Sequence, residues 1–257
     1  MDAVAPAKPA RVNPWLPYWA VLQADIRQTM SSWVYRTWVA VSLLLTVGYL
    51  LYRYGLQREA KILQFASNVI SDLLAWSVLG SVTLIIVLTV GSISGERGTL
   101  ADSVLSRGIS RYQYFLAKWH ARLVTVLGTF LVLGVTSLAS SYCVLQEDLS
   151  PGGCVVALLT IAVLLAVVIT SGVTFSAVSS NTLVGITALW LLLYGTGFLL
   201  TLVPARYPTP YHTLTNLPLI LRGEYNWHEL ERFSAWCGGF CVLTGSVGLF
   251  CFSRRDV

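Results

Sequence analysis

The sequence predicts an all-α integral membrane protein with six transmembrane helices, preceded by an N-terminal interfacial amphipathic helix. Two observations carry this expectation. Charged residues make up 11% of the 257 positions and hydrophobic residues 55%, against roughly 25% charged in an ordinary soluble domain. A fold kept in solution could not cover its surface with so few charges. The charges are also unevenly placed, with none in Leu73 to Gly95, Leu123 to Gln146, Leu149 to Ala205 or Phe233 to Ser253. Each of these runs is at least as long as the ~20 apolar residues that cross a bilayer.

The elements follow in chain order. Residues 1–13 hold Pro6, Lys8 and Pro9 without an apolar core, so they read as a short lead and not as a signal peptide. Trp15, Trp19, Leu22, Ile26, Met30 and Trp33 then recur at steps of three or four, with Gln23, Asp25, Arg27 and Gln28 between them. That pattern suits a helix lying in the interface with its tryptophans at headgroup level, and Asp25 and Arg27 argue against its full burial. Residues 1–36 are therefore set apart as lead and interfacial helix, and residues 37–257 as the six-span domain.

Predicted spans cover residues 37–54, 72–94, 120–146, 153–178, 182–203 and 233–253. The first is short, but Arg36 and Arg53 at its ends have side chains long enough to reach the interfaces. The uncharged run from Leu149 to Ala205 is too long for one helix and is broken by Ser179, Ser180 and Asn181, which read as a tight turn between two spans. None of these runs has the alternation or the ~10-residue length of a barrel strand.

Basic residues in short loops mark the cytoplasmic side. With six spans, eleven of the 17 Lys and Arg residues fall on the side of both termini and six on the other. Both termini are therefore expected in the cytoplasm of a cell (inner or plasma) membrane. The net charge of +5 reads as this topology signal and not as a nucleic-acid surface. Cys143 and Cys154 flank the outer turn between the third and fourth spans. Two readings stay open, a disulfide in an oxidising compartment and small apolar core residues, of which the second is favoured. No cysteine spacing suggests zinc.

The most informative stretch runs from Ser94 to Trp119, on the side of the termini. Thr99 with Asp102, and Ser110 with Gln113, have the spacing of capping boxes, so two helices are predicted to start here. Gly108 stands where the first should stop. Leu100, Val104 and Leu105 give that short helix one apolar face, with Asp102, Ser103 and Ser106 elsewhere around it. A helix of this kind, held off the membrane between two spans, is suited to pressing against something.

The run Gly95-Glu-Arg-Gly-Thr-Leu, then Leu105-Ser-Arg-Gly-Ile-Ser-Arg, then Lys118 entering a span, resembles the cytoplasmic loop of type-2 ABC transporter permeases. The closing Phe252-Ser-Arg-Arg-Asp resembles that family's usual ending. The sequence departs from the family pattern in having Gly108 where proline is common and Ala117 where glycine is common. The motifs cover about 30 residues, while the span plan and the interfacial helix match along the whole chain.

By that resemblance the short helix is a coupling helix that docks on a separate cytoplasmic ATPase, where ATP and Mg would bind. Glu96, Arg97, Gly98, Thr99 and Leu100 correspond to the start of the motif, and Ser106, Arg107, Ser110 and Arg111 to its end. Leu100 and Val104 are expected to pack, and Glu96, Arg97 and Arg107 to make polar contacts. The Ser179, Ser180, Asn181 turn would be a second, smaller contact. The resemblance also implies a second permease copy or a paralogue, because one six-span chain is half the family's usual complement. The chain is not expected to be an enzyme: Gly-x-x-x-x-Gly-Lys-Ser/Thr is absent, and none of Lys8, Lys61 and Lys118 follows a glycine.

Between the fifth and sixth predicted spans, residues 204–232 are rich in proline and aromatics. There Leu217, Pro218 and Leu219 begin an apolar piece that could dip into the membrane when packed on protein, at the place where family members carry an outer gate. His212 and His228 have no standard metal-ligand spacing. The spans are almost bare of charge, with Asp72 only at an outer end, which disfavours an ion pump. An intramembrane enzyme would need paired catalytic groups at matching depth, and no Ser/His or Asp/Asp pair lies in the spans. The remaining expectations are a permease subunit coupling a partner's ATP hydrolysis to export of an amphiphilic or hydrophobic cargo, or a non-transporting scaffold or mechanotransmission subunit of a larger complex.

Overall fold

The computed structural model describes residues 15–60, 65–96, 109–145, 148–202 and 209–254. Among these residues there are nine helices and no β-strand. They are α1 (Leu16–Ser31), α2 (Trp33–Ala60), α3 (Ala66–Ser94), α4 (Arg111–Val144), α5 (Pro151–Val178), α6 (Thr182–Thr201), α7 (Pro210–Thr215), α8 (Leu217–Arg222) and α9 (Trp227–Arg254). Six of them, α2 to α6 and α9, are long and apolar enough to cross a membrane. The chain is therefore a multi-pass membrane protein, as its apolar runs predict.

The helices start and stop where local chemistry requires. Ser110 caps α4 through a full capping box, its hydroxyl accepting from the Gln113 amide while Gln113 reaches back to the Ser110 amide, so two otherwise orphaned donors are satisfied. Ser150 caps α5 ahead of Pro151, whose missing N–H costs nothing in the first turn. Asn181 caps α6 by accepting from the Leu183 amide at 2.9 Å, which places the turn between α5 and α6 at Ser179, Ser180 and Asn181. Gly223, with φ +89°, ends α8 in the left-handed region that only glycine enters at no steric cost.

Burial sorts the six long helices. The most apolar stretches of α3 and α5 are 56% and 50% buried inside the bundle, whereas those of α2, α6 and α9 are each 11% buried. The centre is thus an α3–α5 pair. It is packed through Ile85, Ile86, Ile161, Leu165 and Ile169, with α9 lying along α5 and α4 between α5 and α1. The outer helices turn large apolar side chains such as Leu44, Leu183, Phe198 and Val242 outward. In water that arrangement would be unfavourable, but in lipid such a surface costs little, because the tails are as apolar as the side chains.

Two expectations change. Five of the six spans are longer than predicted and the fifth is shorter: the first begins at Trp33 and the third at Arg111, so Arg36 and Lys118 lie within helices and not beyond their ends. Helix α1 exists, and Trp15, Trp19 and Trp33 are exposed as predicted for an interfacial face. Its inner face, however, is formed by Leu22, Asp25 and Thr29, which are buried against α4. Asp25 therefore does not hold the helix away from protein, because its charge is met by partners on another helix.

Candidate functional site

The segment that carries the predicted coupling motif leaves α3 at its C-terminus and returns at the start of α4. Arg97, Gly98, Thr99, Leu100, Val104, Ser106 and Arg107 lie outside the described residues. Glu96, Ser110 and Arg111 lie within them and show how the base of the segment is held.

Glu96 stands just past the C-cap of α3. Its Oε1 is 2.7 Å from Lys118 Nζ, and its Oε2 accepts a hydrogen bond of 2.8 Å from the Tyr114 hydroxyl. Lys118 and Tyr114 are one turn apart on α4, so a single carboxylate joins the exit of α3 to the entry of α4. Lys118 Nζ also lies 2.7 Å from Asp25 Oδ1 on α1. Arg122, one turn further along α4, comes within 3.4 Å of the same oxygen through Nη2 and donates through Nη1 to Thr29 Oγ1. The Thr29 hydroxyl itself donates to the Asp25 carbonyl at 2.7 Å.

Two carboxylates and two cations thus share one site whose formal charges cancel. Neutrality is what makes the burial tolerable, since an unpaired ion in a low-dielectric interior costs several kcal/mol. Asp25 is 1% exposed and Lys118 3%. Satisfaction is nevertheless incomplete: Asp25 Oδ2 and Arg122 Nε are buried without a hydrogen-bond partner among the described residues. A second tie from α1 runs from the Tyr18 hydroxyl to His120 Nδ1 at 2.9 Å. Burial pushes the Tyr18 phenol above its ordinary value, so it stays protonated and available as a donor.

The same end of the bundle gathers the other predicted residues. Arg111 donates from Nη1 to the Ser253 carbonyl at 3.2 Å, joining α4 to the end of α9, and Phe252 stacks on Tyr114 with ring centroids 6.0 Å apart. Ser176 Oγ accepts from the Ile93 and Ser94 amides at 2.8 and 2.9 Å. The Ser94 hydroxyl lies 2.8 Å from that of Thr182. The turn at Ser179, Ser180 and Asn181 is therefore bound to the α3 terminus from which the motif segment departs. Ser180 is exposed, and the Ser179 hydroxyl is turned inward onto the Phe175 carbonyl at 2.7 Å.

Leu217, Pro218 and Leu219 lie at the opposite end, in α8. Leu217 is fully buried, while Leu219 is exposed. Helix α8 rests on the first turn of α5, where a Cβ at Gly153 would come within 2.2 Å of the Ile220 carbonyl. The Ser150 amide donates to the Leu221 carbonyl at 2.8 Å. Arg222 Nε pairs with Asp148 Oδ2 at 3.0 Å, and Asp148 also accepts from the Ser67 amide at the start of α3 at 2.8 Å. Cys143 is an exposed free thiol and Cys154 a buried one.

Sequence reasoning missed Asp25, Tyr114, Lys118 and Arg122 as a group. One signal was present: Leu22, Asp25 and Thr29 fall at helical spacing on one face, which places an acid among residues headed for burial. No protein-family model matches the sequence, and no curated protein is significantly similar to it.

Proposed function

We propose that the chain is the membrane-spanning permease subunit of an ATP-binding cassette transporter, in which a separate cytoplasmic ATPase docks on the segment between α3 and α4. The carrying observation is the Glu96 carboxylate, which bridges Lys118 and Tyr114 and closes the base of that segment. A load applied to the segment would pass into α3 and α4 together, and through Asp25 into α1, instead of being absorbed by a loose loop. Such a lever has use only if something outside the membrane pushes on it.

The motif residues Arg97, Gly98, Thr99, Leu100, Val104, Ser106 and Arg107, with Glu96, Ser110 and Arg111, would form the main ATPase contact. Ser179, Ser180 and Asn181 would form a smaller one. ATP and Mg would be bound by the ATPase. The excess of basic residues at this end supports a cytoplasmic location for both termini, and Leu217, Pro218 and Leu219 would then form an outer gate that moves with α5. The lipid-facing surfaces of α2, α6 and α9 leave room for a second permease copy or a paralogue.

Gentle extraction from the native membrane should co-purify an ATPase subunit, and Leu100→Asp together with Arg107→Glu should release it. An ATPase that stays bound to the double variant would move the docking surface elsewhere. No ATPase with the unaltered chain would end the permease reading in favour of a non-transporting scaffold.

A further inference from the structure

A cleft of about 630 Å³ lies between α2 and α3, within the range of small-molecule sites, roughly 300–1,000 Å³. Trp38, Leu45, Tyr49, Trp76, Gly80 and Leu84 line it. Its mouth faces sideways, since Trp76 is 69% and Leu45 58% exposed, so whatever fills it comes from the bilayer. From Trp38 to Tyr49 along α2 is roughly 16 Å at 1.5 Å per residue, about the depth of one leaflet of a ~30 Å hydrocarbon core.

The hydroxyls on the cleft floor are turned to partners in the protein. Thr46 Oγ1 donates to the Ser42 carbonyl at 2.8 Å, Ser77 Oγ to the Leu74 carbonyl at 2.9 Å, and Ser81 Oγ accepts from Trp38 Nε1 at 2.9 Å. The walls therefore present mostly hydrocarbon to an occupant. Charged groups stand beside one end, where Tyr49 lines the cleft. The Tyr49 hydroxyl donates to Asp72 Oδ2 at 3.1 Å, and Arg53 Nη2 lies 2.9 Å from the same oxygen. Asp72 is about half exposed, and its Oδ1 receives no hydrogen bond among the described residues.

We propose that this cleft binds one aminophospholipid of the membrane, its chain along α2 and α3 and its ammonium on Asp72 Oδ1. Tyr49, which lines the cleft, ties this apolar slot of leaflet depth to a carboxylate with one oxygen open, the complement of an ammonium headgroup on an acyl chain. The site does not depend on ATPase docking, so it stands or falls separately from the permease reading.

The test is tryptophan quenching in phosphatidylcholine vesicles containing increasing fractions of chain-brominated phosphatidylethanolamine or chain-brominated phosphatidylglycerol. Trp76→Phe identifies the part of the signal that comes from the cleft. The ethanolamine lipid should saturate that signal at about tenfold lower fraction than the glycerol lipid, the worth of one charge-assisted hydrogen bond. Unbrominated phosphatidylethanolamine should reverse the quenching.

Asp72→Asn should erase the preference, and Asp72→Glu should keep most of it. Gly80→Leu should remove the saturable phase altogether. A Cβ at Gly80 meets nothing within 4 Å, so the leucine side chain starts in open space on the cleft wall. Equal quenching by both lipids, a preference for the glycerol lipid, or saturable quenching that survives Gly80→Leu would each overturn the proposal and leave only exchangeable boundary lipid.

Discussion

Lys118 Nζ lies 2.7 Å from Asp25 Oδ1 although the two residues are 93 positions apart and both are almost wholly removed from solvent. The pair fastens an amphipathic helix to a membrane span, and Glu96 adds the end of a second span to the same ammonium. Removing this cation leaves Glu96 without its ion pair and Asp25 with only the longer contact to Arg122, at 3.4 Å. Lys118→Met should therefore cost about 3–5 kcal/mol, and Asp25→Asn, which keeps a polar partner, about 1–3 kcal/mol. Detergent-titrated unfolding in mixed micelles measures both. A loss below about 1 kcal/mol for Lys118→Met would mean that the pair is solvated.

The ion pair at the other end should behave differently. Arg222 and Asp148 keep 33% and 17% of their side-chain surface open, so water screens the attraction and hydrates whichever charge is left. Arg222→Met should change unfolding by about 1 kcal/mol or less. An effect as large as that of Lys118→Met in the same titration would contradict this assignment.

Gly152 and Gly153 are adjacent and should respond in opposite ways to alanine. A Cβ at Gly152 comes no closer than 4.0 Å to Ser150 Oγ, whereas one at Gly153 would sit 2.2 Å from the Ile220 carbonyl and 2.7 Å from that of Leu221. Backbone atoms cannot rotate away, so α8 would have to lift from α5. Gly153→Ala should destabilise by about 1–3 kcal/mol. Gly152→Ala should be neutral or stabilising by up to about 1 kcal/mol, through the reduced freedom of the unfolded chain. Thermal inactivation of the two variants side by side compares them directly.

Cys143 is exposed and Cys154 buried, and both are free thiols. A membrane-impermeant maleimide should modify Cys143 from outside intact cells and leave Cys154 unmodified until the protein is denatured. Labelling of Cys143 only after the membrane is opened would reverse the proposed orientation and, with it, the side on which an ATPase could dock.

Several features were legible because they rest on local chemistry. Uncharged runs of span length have one low-energy solution in a bilayer, the helix, because every backbone polar group must find its partner within the segment. That alone determines six long helices. The Ser110 and Gln113 capping box and the Ser179-Ser180-Asn181 break were equally readable, since a cap acts through neighbours within one turn. Their positions agree with the structure to within the helix termini.

Tertiary structure decided which charges are buried and which spans are central. Asp25, with Arg27, read as an argument against full burial of α1. Lys118 and Arg122, 93 and 97 positions away, supply Asp25 with counter-charge only after α4 packs on α1. Likewise, α5 and α6 are both strongly apolar, yet 50% of the one and 11% of the other is buried within the bundle. Hydropathy measures transfer out of water, and lipid and protein interior satisfy it equally well. Only packing shape, as at Gly153 against α8, tells those two environments apart.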